Sequence, residues 1–237
     1  MPDTEWRVLP HDPIEKLEDN LWRVQGSLAG MPLKRVMTIG KRGDGKLVIH
    51  NAMALEEPAM KAIEAFGEPG FLVVPNGYHR LDAPRFKARY PALRVVCPKG
   101  ARARVEKVVP VDCDYAGYPA DPAVGLEPLA GVADAEGIMT VRSSDRVTLV
   151  FNDMLFNMPH LTGVHGLVMK HVTGSSGGPK ISRVARLFIL KDKAAFRAEL
   201  ERLAETPGLA RIIVSHHETI EREGDPAGTL RRVAATL

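Results

Sequence analysis

Apolar residues along this chain follow two rhythms that alternate. Short apolar runs bounded by Gly, Pro, Asn and Asp read as strands, at Leu21 to Gln25, Leu33 to Ile39, Lys46 to His50, Phe71 to Val74 and Leu93 to Val96. The run from Phe71 to Val74 has no polar break, which marks a strand buried on both faces. Asp44-Gly45 joins the second strand to the third, because that pair tolerates the positive φ a hairpin turn needs. Between the strands the spacing becomes helical. Ala59, Met60, Ile63 and Phe66 place a helix from about Glu56 to Phe66, with Pro58 suited to its first turn. A short helix over Asp82 to Tyr90 takes Asp82 as its N-cap, and a basic helix follows around Ala101 to Lys107.

The second half repeats the alternation. Val108 to Val132 is rich in Pro and Gly and reads as loop with short strands. Ile138 to Arg142 and Arg146 to Phe151 form a hairpin across Ser143-Ser144-Asp145. His160 to His171 reads as a helix, residues 172–180 as a flexible loop, and Arg211 to Ser215 as a buried strand. Asp192 caps a helix reaching about Glu205, whose Ala195, Phe196, Leu200 and Leu203 form a stripe directed at a sheet. Asp225-Pro226 opens a final helix. Hairpins mixed with strand–helix–strand units in both halves predict an α/β sandwich, two mixed sheets packed together with helices outside. We expect one domain over residues 1–237, with 1–20 as an N-terminal extension.

Composition narrows the function classes. The 237 residues are 45% hydrophobic and 26% charged, which excludes disordered, collagenous and coiled-coil chains. A net charge of +3 is too small for a dedicated nucleic-acid binder. The four cations between Lys99 and Lys107 have no interleaved aromatic residue and read as a solvated helix face. No apolar run is long enough to span a membrane, and the first residues lack a signal-peptide pattern. Cys97 and Cys113 form neither a disulfide framework nor a zinc knuckle. Ser175-Ser176-Gly177-Gly178 lacks the Lys-Ser or Lys-Thr that closes a P-loop. The expectation is a cytoplasmic protein with an unknown small-molecule partner, no nucleic acid and no membrane, its oligomeric state open.

Candidate chemistry gathers where strands end. His50-Asn51 follows one buried run, Asn76-Gly77-Tyr78-His79 a second, Asn152-Asp153 a third and His216-His217 a fourth. Ligands of α/β sheets collect beyond the carboxyl ends of strands, so His50, His79, Asp153 and His216 are expected in one cleft. Imidazole is a common metal ligand and a natural general base, and Asp adds an anionic oxygen. His160, His165 and His171 do not share a helix face and make no metal stripe.

This order of elements resembles the metallo-β-lactamase superfamily from about Leu21 to Glu218. Lys46 to Asn51 is similar to its strand ending in Asp-Thr-Gly, and Phe71 to Asp82 lies where its His-x-His-x-Asp-His metal motif belongs. Leu149 to Phe156 resembles the strand carrying its bridging Asp, here Asp153, and Ile212 to His216 the strand whose terminal His completes the site. Laid on the motif, Asn76, Tyr78, Arg80 and Leu81 replace all four ligands, and His50 replaces a supporting Asp. No His stands near Ala133 to Gly137, where a middle ligand belongs. Leu cannot coordinate, and Arg is a fixed cation that repels a metal. Pro75 to His79 fits the Pro-Asn-x-x-His turn of the superfamily's degenerate, uncharacterised branch.

The resemblance implies an αβ/βα sandwich with a degenerate metal site, and as cofactor none or a single weakly held zinc at His79, Asp153 and His216. Asp82 is a further candidate ligand, with His50 or Glu136 in reserve. The leading expectation is a non-catalytic protein, or one binding a small anionic ligand through His50, Asn76, Tyr78 and Arg80. The alternative is a single-metal hydrolase of an ester, amide or phosphate bond, with His79 and Asp153 as catalytic residues and Asp153 and His216 anchoring the metal.

Overall fold

The computed structural model describes residues 3–237. Seven strands lie side by side in chain order in one sheet: β1 (Glu15–Glu18), β2 (Leu21–Leu28), β3 (Met31–Lys41), β4 (Lys46–His50), β5 (Glu68–Val73), β6 (Arg94–Cys97) and β7 (Cys113–Asp114). β1 to β4 pair antiparallel, and β4 to β7 pair parallel. Helices α1 (Glu57–Phe66) and α2 (Ala83–Arg89) make the crossovers, and α3 (Arg102–Val105) follows β6. A second sheet contains β8 (Val124–Pro128), β9 (Gly137–Ser143), β10 (Arg146–Phe151) and β13 (Leu209–Val214), in the order β13-β10-β9-β8 with β13 and β10 parallel. Helices α6 (Lys193–Ala204) and α7 (Pro226–Ala234) flank β13 in the chain. Between β10 and α6, β11 (Phe156–Met158) pairs with β12 (Gly178–Lys180), with α4 (Gly163–His171) between them and α5 (Arg183–Phe188) after.

The unbroken apolar runs are explained by burial on both faces. Along each central strand alternate side chains serve different cores. Val48, Phe71, Val73, Val96, Val150 and Ile213 fill the space between the sheets. Leu47, Ile49, Leu72 and Val95 pack outward on Met60 and Ile63 of α1 and Phe86 of α2. Leu149, Phe151, Ile212 and Val214 pack outward on Phe196, Leu200 and Leu203 of α6 and Leu230 and Val233 of α7. The expected stripe on α6 is thus buried, apart from half-buried Ala195. Asp192 and Asp225 cap their helices, accepting from the Ala195 and Gly228 amides.

Three expectations change. Asp82 takes the expected N-cap position of α2, but its side chain accepts no capping bond and sits in ion pairs with Arg35 and Arg85, at 2.6 Å each. Two guanidinium groups win the carboxylate over one backbone amide because charged hydrogen bonds are stronger. The expected flexible loop at 172–180 carries β12, since β11 offers it a ladder. The expected N-terminal extension is tied down: Trp6 donates to the Leu55 carbonyl at 3.0 Å and packs on Phe86, and β1 pairs with β2. The first two residues of that extension lie outside the described residues.

Candidate metal centre

Strands of both sheets end at one edge of the sandwich, and their last residues build the site. β4 runs into Asn51, β5 into Asn76 and His79, β10 into Asn152 and Asp153, and β13 into Ser215 and His216. The Val36 amide of β3 donates to the Ser215 carbonyl at 2.9 Å, which ties the two sheets together at this edge.

His79, Asp153 and His216 converge. His79 Nε2 lies 3.1 Å from Asp153 Oδ1, His216 Nε2 lies 3.3 Å from the same oxygen, and the two Nε2 atoms are 3.3 Å apart. The outer nitrogens decide what those atoms carry. His79 Nδ1 faces the Asn51 side-chain oxygen at 3.1 Å, and His216 Nδ1 faces the Lys34 carbonyl at 2.9 Å. Asn51 is itself oriented, because its amide donates to the Val36 carbonyl at 2.8 Å. Both Nδ1 atoms therefore bear the proton in the neutral rings, and both Nε2 lone pairs point at the carboxylate. In that state three acceptors face one another with no proton between them, and either a metal cation or a proton on an Nε2 joins them.

The triangle fits a metal ion. Tetrahedral zinc with ligands at about 2.0–2.1 Å has ligand–ligand edges of roughly 3.3–3.4 Å, close to the separations here. Among the described residues this is the one group of three His, Cys, Asp or Glu that converges this way. Three protein ligands are what an open catalytic zinc site uses.

A buried polar layer holds the triangle from behind. Asn76 donates to Asp153 Oδ2 and Glu136 Oε1, at 2.7 Å each, and accepts from the Tyr78 and His79 amides. Asp153 Oδ2 is thus occupied and Oδ1 is left free. Glu136, fully buried, also accepts from Asn152 and from the Met154 amide. Burial and the neighbouring Asp153 charge push the Glu136 carboxyl up, against the opposing pull of those hydrogen bonds. Burial would raise Asp153 as well, but His79 and His216 outweigh it and hold its carboxyl well below the usual range.

The other candidates are placed elsewhere. His50 is fully buried, has no partner on either ring nitrogen, and does not line the cavity; burial, then the His79 charge, lowers it to about 3. Arg80 donates to the Arg104 carbonyl and does not line the cavity. Tyr78 lines the mouth, its ring 4.8 Å from the Arg104 guanidinium. Asp82 is held by its two arginines and Glu136 by its network, so neither joins the triangle. Sequence reasoning missed Asn51 as a tautomer-fixing residue and Lys34 as a main-chain partner. Asn directly after a strand was the available signal for Asn51, which adopts φ 57° as few residues other than Gly and Asn readily do. A main-chain carbonyl leaves no sequence signal.

Above the triangle lies a cavity of about 600 Å³. Phe156, Met169, Val184, Phe188 and Ile189 make most of its far wall apolar. Arg35 is its single Lys or Arg; its Nη1 pairs with Asp82, and its Nε and Nη2 are buried without partners. Phe156 stacks parallel on the His216 ring at 5.5 Å, fixing its plane.

No protein-family model matches the chain, and no curated protein matches it in sequence. Solved structures do match its fold. A metallo-β-lactamase from Pontibacter korlensis superposes with a TM-score of 0.60 at 9% identity, covering 96% of this chain and 100% of its own. The DIM-1 metallo-β-lactamase gives 0.62 at 13% identity over 97% and 99%. FIM-1 from Pseudomonas aeruginosa, in its mono-zinc form, gives 0.59 at 11% identity over 97% and 96%.

Proposed function

Proceeding from a metallo-β-lactamase fold, we propose that this chain is a single-metal hydrolase acting on an ester or amide bond beside an apolar group. One observation carries the reading: Asn51 and the Lys34 carbonyl fix both imidazoles so that His79 Nε2, His216 Nε2 and Asp153 Oδ1 converge as three lone pairs. His79, Asp153 and His216 would hold the metal. When bound there, a Lewis-acidic ion supplies polarisation of a carbonyl oxygen and a lowered pKa for water. Asn76 keeps Asp153 turned toward the triangle, and Phe156 keeps His216 in plane. The apolar wall excludes water and accepts the hydrocarbon part of the substrate, which strengthens every polar interaction at the floor. With Asp153 Oδ2 held by Asn76 and the Arg80 head group turned to Arg104, the chain's own residues favour one metal over two.

The test is metal titration of chelator-stripped protein, followed by assay on chromogenic esters and anilides. We expect one zinc per chain, a rise in Tm, turnover that increases with acyl length, and loss of all three in His216→Ala. Uptake that His216→Ala leaves intact overturns the site. Uptake without turnover returns the protein to the non-catalytic reading, to which replacement of the motif residues by Asn76, Tyr78, Arg80 and Leu81 lends support.

A further inference from the structure

The large apolar side chains exposed on this molecule gather in one region. Five of them, Met31, Tyr78, Leu81, Val184 and Phe188, line the cavity itself. The others, Val164, Leu167, Val168, Val172 and Leu187, lie on or beside α4 and α5, whose Met169 and Ala185 form its wall. α4 is inverted for a surface helix. It buries Gly166 and Met169 and turns Val164, Leu167 and Val168 outward, where such a helix carries polar residues. A contiguous apolar surface of this kind marks an interaction site.

Its charge is equally uneven. Residues 154–191 contain Lys170, Lys180, Arg183, Arg186 and Lys191 and no Asp or Glu. Of the chain's 32 basic and 29 acidic residues, five basic and no acidic ones fall here, so the rest of the chain has 27 against 29 and is net negative. None of the five forms an ion pair among the described residues.

We infer that the α4–α5 face docks on an anionic phospholipid surface. Apolar side chains entering the acyl boundary, with lysines and arginines at headgroup level, are the two forces that hold a protein on such a surface. A second copy of the chain fits less well. A two-fold dimer through this face would oppose the cations of α4 and α5 with a second set. No helix among the described residues is long and apolar enough to span a bilayer, so the contact is peripheral. The cavity opens within the same face and would draw its apolar substrate from the lipid. This goes beyond the metal reading and stands without it.

Vesicle co-sedimentation of the full chain in chelator tests the inference separately from the metal site. We expect binding to phosphatidylcholine vesicles containing phosphatidylglycerol, much weaker binding to phosphatidylcholine alone, and release by salt. Leu167→Asp and Leu187→Asp, at side chains 59% and 71% exposed, should each weaken binding roughly tenfold or more with circular dichroism unchanged. Lys170→Glu should weaken it on anionic vesicles, whereas Lys61→Glu on the exposed side of α1 should weaken it far less. Equal binding to both vesicle types, Asp variants that bind like the wild type, or equal losses from Lys61→Glu and Lys170→Glu would overturn the inference. So would a dimer in sedimentation velocity that Leu187→Asp dissociates, which would assign the face to a second copy.

Discussion

The floor and the cover of the cavity face each other but are built on different terms. At the floor, Asn76 makes four hydrogen bonds, Glu136 makes three, and each ligand nitrogen or oxygen is fixed by a partner behind it. Across the cavity, α4 and α5 bury few side chains and expose Val164, Leu167, Leu187 and Phe188. A buried polar network is costly if any member is missing, so the floor specifies one geometry. The cover is set by hydrophobic contact, which is non-directional and tolerates substitution at its outward positions. Chemistry that needs atoms placed to a few tenths of an ångström sits on the first region, and recognition of an apolar partner sits on the second.

The sharpest way to break this contrast is at its most connected residue. Asn76→Ala leaves the buried Glu136 and Asp153 oxygens without their shared donor and should cost roughly 3–5 kcal/mol, measured by urea denaturation. A loss below 1 kcal/mol would show a floor far less organised than its hydrogen bonds imply. A paired truncation follows: Leu200→Ala in the buried stripe of α6 should cost about 2–5 kcal/mol, whereas Leu187→Ala on the cover should stay within about 0.5 kcal/mol. Equal losses would mean that α5 is packed against something in solution.

Zinc should separate the regions more gently. At free zinc 100-fold above its Kd the folded state gains about 2.7 kcal/mol. His79→Ala and His216→Ala should abolish the gain, and His165→Ala on α4 should retain it, as read from thermal melts.

The smallest effect is the pH slope. The His50 ring is held neutral, with its folded pKa lowered from 6.5 to about 3. Below pH 6.5 the unfolded chain binds a proton that the folded chain refuses, so stability falls as pH falls through that window toward 3. The slope from this one group is at most about 1.4 kcal/mol per pH unit. His50→Leu should remove one proton's worth of slope, and an unchanged slope would mean His50 is protonated in the fold.

The sequence by itself pointed to the central strands and their burial on both faces, since short unbroken runs such as Phe71 to Val74, bounded by Gly and Pro, suit a buried strand. It also showed that His79, Asp153 and His216 end separate strands, and strand ends of packed sheets share an edge. Through the resemblance, it pointed to the αβ/βα sandwich. It placed Asp82 at the start of α2 but not its side chain's partners, because a cap and a buried ion pair draw on the same residue type, and only the approach of Arg35 and Arg85 decided between them. It treated His50 as a cleft residue, because strand position does not reveal how deep a side chain lies. The protonation pattern of the site was out of reach altogether. It depends on which acceptor stands behind each imidazole, and one of the two is a backbone carbonyl of β3, a group every residue carries, placed against His216 only when the two sheets close on each other.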